Sequence, residues 1–201
     1  MAKSAKEVAL TLFRERGGWL KTRQALDLGI SPRTLYDLRD SGKIIQEYRG
    51  LYRLADMELS SHKDLIQVSL QVPKGVVCLI SALDYYGITT QIPHFVYLAM
   101  PVNTEKPRIK YPPIRIFKMS PKVYEAGIQE EVIDGISLKI YSLEKTITDS
   151  FKFRRKIGLD IALEALRQAI EEKRCDIDTL MKFARLNRVE TLITPYLEAL
   201  L

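Results

Sequence analysis

The sequence predicts an α+β protein in two parts, and three observations carry that prediction. Residues 20–54, LKTRQALDLGISPRTLYDLRDSGKIIQEYRGLYRL, run in the order helix, turn, helix, strand pair. Residues 95–101 and 114–119, FVYLAMP and IRIFKM, are rich in β-formers, and Asp134-Gly135 within GIQEEVIDGISLKIYS is the favoured two-residue hairpin turn. After Ser142, apolar residues recur at helical spacing to the end of the chain. The expected architecture is a winged helix-turn-helix over residues 1–59 and a connecting helix or linker over 60–74. A mixed α/β domain over 75–201 then ends in a helical bundle.

The first elements follow from local chemistry. Residues 4–16 read as an amphipathic helix with Val8, Leu12 and Phe13 inward, stopped by Gly17-Gly18, and Trp19 reads as a core residue. A short helix opens after Thr22, with small Ala25 allowing close helix approach, and Gly29 supplies the positive φ of a sharp turn. Ser31 is a preferred N-cap, Pro32 suits the first helical position, and Gly42 stops the helix. Within it Leu35 and Leu38 share the inward face, while Arg33, Tyr36 and Asp37 point outward and Thr34 lies at the flank. Ile44-Ile45 and Tyr52-Arg53-Leu54 flank a glycine turn as a strand pair.

That order points to DNA. A recognition helix offers its outward N-terminal residues to bases, so Arg33, Thr34, Tyr36 and Asp37 are the candidate readers. Arginine reads guanine bidentately, and a threonine methyl meets that of thymine. Lys21, Arg23, Lys43 and Arg49 are the candidate phosphate or wing contacts. The same helical unit also suits a protein–protein module.

Further along, residues 60–72 open with a serine cap and run helical to the Pro73-Lys74-Gly75 break. GVVCLISALDYYG leads from a short apolar stretch into a helix ending at Gly87. Ser142 caps the next helix. Leu159, Ala162, Leu163, Leu166, Ala169 and Ile170 form a helical apolar face. Asp176 or Asp178 caps a helix carrying Leu180, Phe183 and Ala184. The last helix places Val189, Leu192, Ile193, Tyr196, Leu197 and Leu200 on one side, with Pro195 marking a kink or a fresh start.

Composition bounds the function. The chain has 201 residues, 46% hydrophobic and 28% charged, enough for packed cores. Net charge is +6, and residues 1–60 hold 11 Lys+Arg against 8 Asp+Glu, half of that surplus in under a third of the chain. Cys78 and Cys175 form neither a disulfide framework nor a zinc pair, which with the lack of a signal-peptide core implies the cytoplasm. Residues 85–104 are uncharged but too broken by Gly87, Pro93 and Pro101 to span a membrane.

Enzyme signals are absent. His62 and His94 lack ligand spacing, and no phosphate-binding loop or nucleophile elbow occurs. A nuclease-type cluster fails because Ser137 stands where a second acid belongs between Asp134 and Lys139. No metal and no cofactor is expected. The basic run Lys152, Arg154, Arg155 and Lys156 reads either as a solvated helix end or as an anion-contacting surface.

Together these residues resemble a known family. Gly29-Ile30-Ser31, Leu35, Leu38, Gly42 and Arg49-Gly50-Leu51-Tyr52-Arg53-Leu54 resemble the N-terminal domain of AbiEi-family antitoxins. The second part is similar to the AbiEi C-terminal domain in SAL at 81–83, Tyr86-Gly87-Ile88-Thr89, YLAMP at 97–101, and Tyr141-Ser142-Leu143-Glu144-Lys145-Thr146 with Asp149. Arg154 to Asp160, Glu164-Ala165-Leu166 and Pro195 to Leu200 extend it.

The resemblance implies a non-enzymatic repressor and antitoxin of a type IV toxin–antitoxin operon. Such a protein binds an inverted repeat in its own promoter and counteracts a nucleotidyltransferase-like toxin. In that setting the run Lys152, Arg154, Arg155 and Lys156 is the candidate antitoxin surface. The alternative is a stand-alone winged-helix regulator whose C-terminal domain binds a ligand or protein.

Overall fold

A computed structural model describes residues 4–58 and 61–201 and shows a mixed α+β chain in two compact units. The first holds the described residues up to Ser61 together with Val132–Ser137, the second His62–Glu131 and Leu138–Leu201.

In the first unit α1 (Ala5–Glu15) is capped by Ser4, whose Oγ accepts from the Glu7 amide while the Glu7 carboxylate accepts from the Ser4 amide. β1 (Trp19–Lys21) leads directly into α2 (Thr22–Asp27), and Gly29, at φ +83°, turns the chain into α3 (Pro32–Asp40). β2 (Ile44–Tyr48) and β3 (Leu51–Leu54) follow, and β1 joins β3 antiparallel to give the order β1-β3-β2. The core gathers Phe13, Leu20, Ala25, Ile30, Leu35, Leu38, Ile44 and Leu54.

Two expectations need correction here. The inward stripe of α1 is Ala9 and Phe13, one turn apart, so Val8 falls off it and is 44% exposed, with Leu12 half-buried. The strand β1 was not foreseen, because three residues are too short for an alternation signal.

The second unit opens with α4 (Lys63–Gln71), which buries Leu65, Ile66 and Val68. The segment expected to connect domains is therefore packed through this helix into the unit's interior. Its N-cap is His62, without a side-chain cap bond, rather than a serine; Ser60 lies outside the described residues.

Next come β4 (Val76–Val77), α5 (Leu79–Tyr85), β5 (Val96–Pro101), β6 (Ile114–Met119) and α6 (Pro121–Glu125). β7 (Ile128–Ile133) and β8 (Ile136–Tyr141) complete the strands. Asp134 and Gly135 both have positive φ, +50° and +73°, as a type I′ turn requires. The sheet order is β6-β5-β4-β8-β7, with β5–β6 and β4–β8 parallel and β4–β5 antiparallel.

Helices close the unit: α7 (Leu143–Lys152), α8 (Arg154–Ile157), α9 (Leu159–Glu171), α10 (Ile177–Asn187) and α11 (Glu190–Glu198). α7 packs against α5, α9, α10 and α11. Of the two candidate caps Asp176 serves, its Oδ1 accepting from the Thr179 amide at 2.8 Å. Pro195 sits inside α11, so the helix continues through it.

Candidate nucleic-acid interface and buried polar cluster

α3 is fixed at its start by Ser31, whose Oγ accepts from the Thr34 amide at 3.1 Å and lies 2.9 Å from the Thr34 hydroxyl. Leu35 and Leu38 are buried, which turns Arg33, Tyr36 and Asp37 to solvent, Tyr36 at 51% exposure. Thr34 is half-buried at the flank. Of the outward residues Asp37 is engaged, with the Lys6 ammonium 3.5 Å from its carboxylate. Arg33 and Tyr36 thus present a cation and an aromatic ring on one face.

The strand pair stands beside this helix. Arg49 is exposed at its turn, where Gly50 adopts φ +85° and its carbonyl accepts from the Thr22 amide at 2.9 Å. That bond ties the turn to the start of α2, where Arg23 is exposed. Lys21 precedes α2 and is half-buried, and burial pushes its ammonium below the ordinary lysine value. Lys43 is exposed just before β2.

A groove of about 490 Å³ runs between α3 and the turn, lined among others by Thr22, Tyr36, Arg39, Arg49 and Tyr52. Arg39 was not singled out by sequence reading. Its guanidinium lies 5.0 Å from the Tyr36 ring centroid and pairs with Asp40 at 2.8 Å. Its position four residues before Lys43, on the flank between the two leucines and solvent, was the available signal. Arg53, by contrast, is buried and pairs with Glu47, so it braces the sheet rather than facing solvent.

The second unit holds a buried charged cluster that the sequence did not reveal. Lys145 and Asp149, one turn apart on α7, are fully buried with Nζ and Oδ2 2.5 Å apart. The Asn187 amide of α10 donates to Asp149 Oδ1 at 2.7 Å and to the Thr148 hydroxyl at 3.1 Å. Lys152 donates to Asn187 Oδ1 at 3.2 Å, and the Lys145 ammonium lies 4.2 Å from the Tyr141 ring centroid. Burial pushes the Asp149 carboxyl above its ordinary value, against the opposing pull of Lys145 and Asn187. Lysine and aspartate at i, i+4 read as a surface pair, and only the tertiary fold shows them enclosed.

The basic run divides accordingly. Lys152 is half-buried and turned onto Asn187, and Arg154 is half-buried with one N–H donating to the Phe151 carbonyl at 2.9 Å. Arg155 and Lys156 are exposed. Burial raises both thiols, Cys78 well above its ordinary value and Cys175 to about 12, so neither is poised as a nucleophile. Among the described residues no group of three or more His, Cys, Asp or Glu could hold a metal ion, and no helix is long and apolar enough to cross a membrane.

Residues 7–55 match the family described as "Transcriptional regulator, AbiEi antitoxin". Most of the chain resembles the crystal structure of the RV2827C protein from Mycobacterium tuberculosis. That likeness has a TM-score of 0.60 at 14% identity and covers 89% of this chain and 70% of that one. At that identity the likeness concerns the fold alone. No curated protein sequence matches.

Proposed function

We propose that the chain is a cytoplasmic, non-enzymatic repressor and antitoxin whose first unit is a winged helix-turn-helix that binds an inverted repeat in its own promoter. The observation that carries this is the outward face of α3 beside the tied turn. Arg33 and Tyr36 are exposed on a capped helix and, among the described residues, form no ion pair or hydrogen bond with a carboxylate, and Arg49 stands across a groove from Tyr36. Helix N-terminal residues read base edges in the major groove, while flanking cations fix the register on phosphates. The family matched by residues 7–55 supports the regulator reading.

In this reading Arg33, Thr34 and Tyr36 read bases, and Asp37 orients Lys6 rather than reading alone. Lys21, Arg23, Lys43 and Arg49 take phosphates. If each of these four neutralises one phosphate, log K falls with log salt at a slope of about −3.6 per protomer. Fluorescence anisotropy against the protein's own upstream duplex and a scrambled duplex, across salt, tests it. Equal affinity for the two duplexes at moderate salt sinks the repressor reading.

The second unit would then serve toxin control, against a nucleotidyltransferase-like toxin. The family match ends at residue 55, which also suits a stand-alone regulator whose second unit binds another molecule. Growth under expression of an adjacent nucleotidyltransferase gene, with and without this chain, separates the two. Rescue supports the antitoxin, and no rescue supports the stand-alone regulator.

A further inference from the structure

We propose that the free edge of β6 docks an extended, acidic segment of a protein partner, which adds to the sheet as its next strand. β6 ends the five-stranded sheet and pairs with β5 alone among the described residues. An edge strand presents a row of unpaired main-chain N–H and C=O groups, a ready template for another strand. Peptides that add to such an edge gain affinity from main-chain bonds and specificity from the side-chain pockets beside it.

The groove along β6 follows the strand itself. Side chains alternate across a strand, so Arg115 and Phe117 lie on one face and Ile116 on the other. A groove of about 340 Å³ is lined by all three together with Lys156, so it lies alongside β6. Both charged residues that line it are cations, and no carboxylate does. Arg155, next in chain to Lys156, is exposed as well. Lys118, on the other face of β6, spends its ammonium on the carbonyls of Pro101 and Thr104 and on the Thr104 hydroxyl.

The arrangement selects among occupants. A second copy would bring one cationic edge against another, and its Ile114–Met119 offers no carboxylate to pair with Arg115. Single-stranded nucleic acid needs open ring faces on which bases stack. Here those faces carry cations. The Arg115 guanidinium lies 5.1 Å from the Phe95 centroid and 5.8 Å from that of Tyr97. The Lys156 ammonium lies 5.6 Å from Phe117 and 5.8 Å from Phe153. Cations held over apolar rings, flanking an unpaired strand, fit carboxylates spaced along an extended chain.

The probe is a labelled ten-residue peptide of alternating Glu and Val, titrated into the full chain. Saturable binding is expected, with slowed amide hydrogen exchange across residues 114–119. A Lys–Val peptide, and a Glu–Val peptide N-methylated at alternate residues, should not bind. Arg115→Glu and Lys156→Glu should each weaken binding about tenfold, the loss of one interfacial ion pair. Both side chains are exposed, and circular dichroism checks the fold; Arg115→Ala and Lys156→Ala give a smaller loss should the reversals unfold the chain.

Absence of binding by the Glu–Val peptide overturns the proposal. So does binding that the charge variants leave unchanged, or equal binding of the N-methylated peptide. An oligothymidine bound through the same two residues, with the peptide excluded, reassigns the groove to nucleic acid. DNA binding by the first unit plays no part in these readouts.

Discussion

Replacing Asp149 with leucine should cost the second unit about 3–5 kcal/mol, because it leaves a buried ammonium without its counter-charge. Lys145 and Asp149 are both fully buried, and among the described residues their 2.5 Å contact is the ammonium's single carboxylate partner. The Tyr141 ring at 4.2 Å offers only a weaker cation–π contact, and the Asn187 amide loses its 2.7 Å acceptor. Each kcal/mol moves Tm by about 2–4 °C in a unit of 150–250 residues and more in a smaller one such as this, so the midpoint should fall by at least roughly 6–20 °C.

The double variant Lys145→Met/Asp149→Leu should recover most of that loss and lie within about 2 kcal/mol of the parent. Burial outweighs the carboxylate's partners, so the pair is a net cost that an apolar pair removes, offset by one orphaned Asn187 N–H. Thermal unfolding followed by circular dichroism on parent, single and double variants decides the matter. A single variant within about 2 °C of the parent refutes the reasoning, and so does a double variant less stable than the single.

Three further outcomes follow from the same structure. Arg33→Ala should cost about 1–3 kcal/mol on the upstream duplex and relax one base position, whereas Arg49→Ala should weaken specific and scrambled duplexes evenly; anisotropy on both duplexes reads the difference. Ser31→Ala removes the cap of α3 and should lower the first unit's stability by about 1 kcal/mol in chemical denaturation, with a smaller change from Ser41→Ala at the far end, which loses only the bond from its hydroxyl to the Leu38 carbonyl. Because burial raises the Asp149 value, the native state holds that proton more tightly than the unfolded chain, and this group's stabilisation is present at acid pH and lost as pH rises through its native value. Asp149→Asn should abolish that fall, so the variant should gain on the parent as pH climbs from the ordinary aspartate range. The opposite trend in paired denaturant titrations would show that Lys145, not burial, governs the carboxyl.

The sequence made legible what local chemistry alone determines. Ser31, Pro32, Gly29 and Gly42 mark α3 because capping and positive φ are properties of single residues and their immediate neighbours. The Asp134-Gly135 turn was legible for the same reason. The elements missed are those whose stability comes from partners far along the chain. β1 exists because Trp19, Leu20 and Lys21 pair with Arg53, Tyr52 and Leu51, a register that no three-residue window contains. Val8 and Ala9 are adjacent, and only the packing of α1 decides which of them faces inward.

The same reasoning explains why charge was the least legible property. A sequence gives the count of cations but not their surroundings, and the surroundings decide their chemistry. Lys152, Arg154, Arg155 and Lys156 are nearly contiguous, yet the first turns onto Asn187, the second onto a helix-end carbonyl, and only the last two face solvent. Lys156 instead shares a groove with Arg115, 41 positions earlier in the chain, beside the edge strand β6. In the first unit the sorting runs the other way. Arg33 was legible as exposed because it lies off the face of α3 that Leu35 and Leu38 bury, and Arg49 because it opens the two-residue turn before Gly50. Where a cation's neighbours are local, the sequence locates it; where they come from another strand or helix, only the fold does.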